Sequence, residues 1–214
     1  PEFPAGTGAK YIKNTNENDT FDKCFKYLSE RPSVDYFAWS DGEVAFTEIV
    51  QRFIEADCSV ELLKAKDTPM KGSASMSKDK KELLVGAYIP RIGMSGSIKA
   101  HGRDIIPSPY TSGLLDKFLD GKFIPCFETA RGCPFMCTFC DQGLDESKMT
   151  SHSNLRMYEE LMYVGERVSN IENGQKHVEF FDSNWGMFNK DLEFAEDILK
   201  VMNKYDWPEF IEAR

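Results

Sequence analysis

Phe123-Ile124-Pro125-Cys126-Phe127-Glu128-Thr129 runs directly into Ala130-Arg131-Gly132-Cys133-Pro134-Phe135-Met136-Cys137-Thr138-Phe139-Cys140, and the reading of the chain turns on this stretch. Its first seven residues are strand-like, and its end carries three thiols spaced C-x3-C-x2-C. Downstream the pattern alternates. Leu155, Tyr158, Leu161, Met162, Val168 and Ile171 mark a helix over 153–171, which Asn173-Gly174 closes. Val178-Glu179-Phe180-Phe181-Asp182 reads as a buried strand. Asn189 is placed to cap a second helix over 189–204, with Leu192, Ala195, Ile198, Leu199 and Met202 as its apolar face. Trp207-Pro208 breaks that helix, and Phe210-Ile211-Glu212-Ala213-Arg214 begins another strand. Strands near 123–129, 178–182 and 208–213, separated by helices, predict a parallel α/β sheet. Side-chain alternation on the middle strand puts Phe180 and Asp182 on one face and Glu179 and Phe181 on the other.

Upstream, residues 1–65 read as the tail of another α/β unit. Phe21, Cys24, Phe25 and Leu28 recur at helical spacing up to Pro32. Val34-Asp35-Tyr36-Phe37-Ala38-Trp39 suits a buried strand, and Asp41-Gly42 supplies a turn. Val44 through Ala56 resumes a helical period with Ala45, Ile49, Phe53 and Ile54 on one face. Residues 66–120 read as a connector with a short strand near 83–88; Lys78-Asp79-Lys80-Lys81-Glu82 is a solvated charge run, and Ile106-Pro107-Ser108-Pro109-Tyr110 is held out of helix by its prolines. Residues 121–214 then form the unit that carries the thiols.

The chain has 214 residues, 41% of them hydrophobic and 13% aromatic, with a net charge of −9. That excludes general disorder, and no apolar run is long enough to span a bilayer. Pro1-Glu2-Phe3-Pro4 has neither an initiator Met nor a signal segment, so the chain reads as a cytoplasmic piece of something longer. Residues 141–214 hold 16 acidic and 8 basic side chains, a balance that repels a phosphate backbone and argues against broad nucleic-acid binding.

Six cysteines are too sparse for a disulfide scaffold, but three lie within eight residues. Cys133, Cys137 and Cys140 could wrap one soft metal centre, either iron–sulfur or zinc. A 4Fe–4S cluster held by three cysteines leaves one iron open to a substrate or cofactor. A structural zinc site needs a fourth protein ligand, for which His152 and Cys126 are the nearby donors. Cys24 and Cys126 read as buried core thiols, and Glu159 and Glu160 as solvated. His101, His152 and His177 show no ligand spacing to one another.

The cysteine motif, with Phe139 before its third thiol and with a strand before and a helix after, resembles the radical S-adenosylmethionine (SAM) superfamily. Glu128-Thr129-Ala130-Arg131-Gly132-Cys133-Pro134-Phe135 resembles the opening of the subgroup with a cobalamin-binding-type domain ahead of the radical domain. Val34-Asp35-Tyr36 and Ser40-Asp41-Gly42-Glu43 are similar to the end of that first domain, although Ser40 and Asp41 depart from its usual turn. Ile106–Tyr110 resembles the bridge between the two domains, and Phe181-Asp182-Ser183-Asn184-Trp185-Gly186-Met187-Phe188 the exit from the second strand. The resemblance implies the tail of a Rossmann-like domain followed by an incomplete parallel (β/α) barrel. It also implies a 4Fe–4S cluster on Cys133, Cys137 and Cys140, with SAM on the fourth iron and reductive cleavage of SAM to a 5′-deoxyadenosyl radical. Phe139 would then pack near the adenine, Asp182 would hold the SAM ammonium, and Ser183 and Asn184 would share that role; Phe180 and Asp182 would accordingly point inward, with Glu179 and Phe181 toward the helices. An electron donor such as flavodoxin or ferredoxin is implied as a partner. Cobalamin is implied only for the longer protein, because no His precedes His101 to ligate cobalt. A non-catalytic iron–sulfur or zinc module is the alternative. The substrate is not legible.

Overall fold

The computed structural model describes residues 17–38, 42–87, 89, 92, 102–135, 137–139 and 149–213. Trp39, Ser40, Asp41, Tyr88, His101 and Cys140 lie outside the described residues. The chain divides into two compact units, residues 1–91 and 92–214. No helix among the described residues is long and apolar enough to cross a membrane.

In the first unit, α1 (Glu17–Ser29), β1 (Phe37–Ala38), α2 (Glu43–Glu55), α3 (Val60–Lys64), β2 (Ser73–Met76) and β3 (Leu83–Val85) follow in order. Cys24 and Leu28 on α1 are buried with Ala74, Met76 and Leu83, as helical spacing and a half-buried sheet require. The three strands form an antiparallel sheet, ordered β1-β2-β3. Residues 70–82, whose composition reads as connector, are thus part of this unit, and β3 falls within the short strand expected near 83–88. All four residues of β2 are buried, yet Ser73-Ala74-Ser75-Met76 has none of the branched or aromatic side chains that announce a strand. The following turn is organised by Ser77, whose Oγ accepts from Lys81 N at 3.2 Å and Glu82 N at 3.0 Å. This turn carries the charge run. Gly86 is obligatory, since a Cβ there would lie 1.7 Å from Met70 O. On α2, Ala45 is buried as expected, but Ile54 is exposed.

In the second unit, 3₁₀ turns at Gly102–Ile105 and Asp116–Phe118 precede β4 (Cys126–Phe127), β5 (Ala130–Arg131), β6 (Thr150–Ser151), α4 (Asn154–Val168), β7 (His177–Phe180), α5 (Asn189–Tyr205) and β8 (Phe210–Ala213). The expected parallel sheet is present, in the order β4-β7-β8. Helix α4 lies between β4 and β7 in sequence, and α5 between β7 and β8. Their apolar faces (Met157, Leu161, Val164 and Val168; Phe194, Ile198 and Val201) are buried in one core with Phe127, Val178, Phe180 and Trp207. Gly165 keeps α4 close to the end of α5, because a Cβ there would sit 2.9 Å from Tyr205 Cδ2 and 3.3 Å from Trp207 Cε3.

Several placements differ from expectation. Val178 and Phe180 face the helices, with the Phe180 ring 5.7 Å from Phe194 edge-on, while Phe181 is exposed. The predicted alternation is therefore inverted. Strand β7 ends at Phe180, so the two-residue rule does not carry across to Asp182. The apolar face of α5 is offset, with Phe194 and Val201 inside and Leu192 and Leu199 outside. Phe188, not Asn189, occupies its N-cap, and the Asp191 carboxylate accepts from Phe188 N at 2.9 Å and Gly186 N at 3.0 Å. Helix α4 is capped by Ser153, whose Oγ accepts from Arg156 N at 3.1 Å. Glu160 is buried rather than solvated, bound by Arg156 Nε at 2.6 Å. Cys126 is exposed rather than a core thiol.

Tyr110, from the proline-rich segment, completes the edge of β4. Its hydroxyl donates to Cys126 O at 2.8 Å and accepts from Cys126 N at 3.0 Å, doing for β4 what a neighbouring strand would do. Its ring stacks on Phe127 with centroids 4.9 Å apart, and burial pushes the phenol up to about 12. Tyr110→Phe keeps the stacking but leaves both Cys126 backbone groups without this partner. The expected loss is about 1–3 kcal/mol of stability, read from denaturant midpoints.

Candidate functional site

Cys133 and Cys137 follow the end of β4 in the chain. Strand β5 follows β4 after two residues and pairs antiparallel with β6, so the β5–β6 ribbon brackets the cysteine segment in sequence. Gly132 opens it at φ 105, a conformation that L side chains rarely adopt. Cys133 is half-buried, and Cys137 is exposed. Phe139 is 91% exposed, so it is not core filling.

Thr129 anchors the base. Asp182 Oδ1 accepts from Thr129 N at 2.6 Å and Ala130 N at 3.1 Å, and Oδ2 accepts from the Thr129 hydroxyl. Thr129 O in turn accepts from His152 N at 2.9 Å and Lys190 Nζ at 3.4 Å. One residue thus joins the ends of β4 and β7, the start of α5 and the segment after β6. Asp182 is buried, and burial pushes its carboxyl above the ordinary value against the pull of the Thr129 and Ala130 hydrogen bonds. Burial likewise lowers Lys190, opposed by Asp191, Asp182 and Asp104. Beside this hub, Glu128 takes a forked pair from Arg131, Nε at 3.0 Å and an Nη at 2.7 Å, with Arg103 at 3.6 Å. Asp104 accepts from Ser153 N at 3.0 Å and faces His152 Nδ1 at 3.1 Å.

Beyond Asp182 the chain turns through Ser183 and Asn184, both half-buried. Asn184 Nδ2 donates to Cys133 Sγ at 3.1 Å. The structure therefore brings Asp182 and Asn184 to the cysteine segment from the end of the second parallel strand. Sequence reasoning chose these two residues but missed what they touch. Thr129 stands in the sequence reading only as a strand end and motif residue, and Lys190 not at all; the available signal is a carboxylate directly after the apolar Phe180-Phe181. On another part of the sheet, His177, Glu179 and Glu212 bring ligand-type atoms within 4.8 Å of one another, a half-exposed group in which His177 Nε2 lies 3.9 Å from Glu212. Sequence spacing did not reveal this group, because Glu212 arrives from the neighbouring strand, paired with Glu179.

A parallel α/β sheet with a cysteine-bearing excursion at the end of its first strand is the class this unit defines. The chain resembles the radical SAM enzymes that carry a cobalamin-binding-type domain, in sequence and in fold. It is 25% identical over 193 residues to the cobalamin-dependent radical SAM methyltransferase TokK of Streptomyces tokunonensis, covering 87% of this chain and 25% of TokK. It is 28% identical over 200 residues to an uncharacterised methyltransferase of Pyrococcus horikoshii, covering 88% of this chain and 38% of that protein. A third relative, 26% identical over 193 residues, is the 2-(S-pantetheinyl)-carbapenam-3-carboxylate methyltransferase of Streptantibioticus cattleyicolor, covering 87% of this chain and 25% of that protein. Among solved structures, the cobalamin-dependent S-adenosylmethionine radical enzyme OxsB shares the fold, with a TM-score of 0.50 and 18% identity over 86% of this chain and 23% of OxsB. The chain thus spans between a quarter and two fifths of the curated relatives it matches. No protein-family model matches it.

Proposed function

We propose that this chain supplies the cluster-binding part of a radical SAM enzyme, with Cys133, Cys137 and Cys140 holding three irons of a 4Fe–4S cluster. The observation that carries the reading is the mounting of the cysteine segment. It follows the carboxyl end of the first parallel strand, is bracketed in sequence by the β5–β6 ribbon, and meets a side-chain amide donor at Cys133 Sγ. A thiolate ligand accepts hydrogen bonds and donates none, so an amide N–H aimed at the sulfur fits a metal-bound Cys133. When bound, the cluster would supply the electron that cleaves the SAM sulfonium bond, with SAM on the iron that no cysteine holds.

The chain's own residues orient and enclose. Thr129 and Ala130 fix the loop entrance through Asp182, and Glu128 with Arg131 and Arg103 stiffens the strand that leads to it. Phe139, exposed and next in sequence to Cys140, would supply an aromatic surface for the adenine. Ser183 and Asn184, with Asp182, would hold the amino-acid end of SAM. The three donors already on Asp182 leave its Oδ2 lone pair for an ammonium. Cobalamin is not assigned to residues of this chain. The relatives are named methyltransferases, so methyl transfer is the reaction class to test first. A flavodoxin- or ferredoxin-type protein would deliver the electron.

The test is SAM cleavage by the full-length protein under anaerobic conditions with dithionite. Formation of 5′-deoxyadenosine is expected. A protein that holds an iron–sulfur cluster, yet neither binds nor cleaves SAM, would be the non-catalytic module instead.

A further inference from the structure

Both residues of the Asn184–Cys133 contact are placed by rigid neighbours. Cys133 follows Ala130 by three positions, and Ala130 N is bound by Asp182. Asn184 follows Asp182 by two. On its other side, the Trp185 ring stacks on Phe180 with centroids 5.6 Å apart, and Gly186 N is bound by the buried carboxylate of Asp191. The turn carrying Asn184 is therefore held from both ends, and its Nδ2 reaches Cys133 Sγ at 3.1 Å. Such an arrangement needs no reorganisation when charge on the sulfur changes.

Resting on the reading of Cys133 as a cluster ligand, we propose that Asn184 is a positioning residue that sets the reduction potential of the cluster through an N–H···S hydrogen bond to Cys133. One-electron reduction adds negative charge to the cluster and its thiolates. A fixed N–H donor stabilises that added charge more than it stabilises the oxidised state, and so raises the potential. The same bond makes the exit of β7 part of the cluster's surroundings.

The experiment is an EPR-monitored redox titration of the reconstituted protein without SAM, comparing wild type with Asn184→Ala and Asn184→Asp. Asn184→Ala removes the donor and should lower the midpoint potential by about 59 mV, a tenfold change in a one-electron equilibrium. Asn184→Asp keeps the shape but replaces the N–H with a negative oxygen, and should lower it at least as far. Equal iron content in all three proteins would show that the effect is not loss of a ligand. An unchanged potential in Asn184→Ala, or a wild-type potential in Asn184→Asp, would overturn the proposal while leaving the cluster assignment intact. Failure of wild type to take up iron and sulfide would overturn the assignment and the proposal together.

Discussion

Replacing any one of Cys133, Cys137 or Cys140 with Ala is expected to abolish assembly of the iron–sulfur cluster, taking reconstituted iron from about four per chain to near none. The size of the effect follows from the ligand count. If the three cysteines are the only protein ligands, each variant would leave two thiolates for four irons, too few to retain the cluster against solvent. Cys58→Ala is the matched control. Cys58 is exposed in the first unit, at φ 55 after α2, and its loss should leave iron content unchanged. Cys126→Ala separates the alternatives further. Cys126 is exposed on β4, with its Sγ 3.3 Å from Ile124 O, and a zinc site recruiting it as fourth ligand would fail with the variant where a three-cysteine cluster would not.

Asp182→Ala is expected to lower stability by about 3 kcal/mol, and to loosen the base of the cysteine segment before the rest of the unit. The carboxylate is the acceptor for Thr129 N, Ala130 N and the Thr129 hydroxyl, all in a buried setting, and Ala leaves all three without it. Hydrogen exchange should show the amides of Thr129 and Ala130 losing protection, while those of α4 keep theirs. Asp182→Asn should be far milder. Its carbonyl oxygen can keep both backbone donors, while its amide nitrogen donates to the Thr129 hydroxyl, which is then free to accept. If Ala and Asn variants were equally unstable, charge rather than the hydrogen-bond set would be holding this corner, with Lys190 as the partner. Cluster uptake should survive in Asp182→Asn.

The division between what the sequence displayed and what it concealed follows the range of the interactions. The cysteine motif and the parallel strand–helix alternation were legible, because each is written within a few tens of residues in spacing and periodicity. Helix α5 was legible as a helix, but its buried face was read through Leu192 and Leu199 rather than Phe194 and Val201. The buried Asp191, tied to Phe188 and Gly186, helps to set the rotation of its first turn, and a polar side chain gives no apolar signal. Strand β2 was hidden because Ser73-Ala74-Ser75-Met76 is small and polar in composition, while its burial depends on partners from α1 and β3. The Asp182–Thr129 latch spans 53 positions and has no local signature. The place of Asp182 at a strand end is legible in the sequence, but its hydrogen-bond partners come from pairing β4 beside β7. Cys126 shows the reverse error. It lies in an apolar run, but the sheet face it occupies is the one opposite the helices, where Glu179 stands beside it in register.

Whether Cys133, Cys137 and Cys140 hold an iron–sulfur cluster with one iron left for SAM is decided by the metal itself. Anaerobically reconstituted protein should contain about four irons and four sulfides per chain. On dithionite reduction its EPR spectrum should change when SAM is added. Stoichiometric zinc in tetrahedral coordination with no uptake of iron would contradict the account, and so would a reduced cluster whose spectrum is indifferent to SAM.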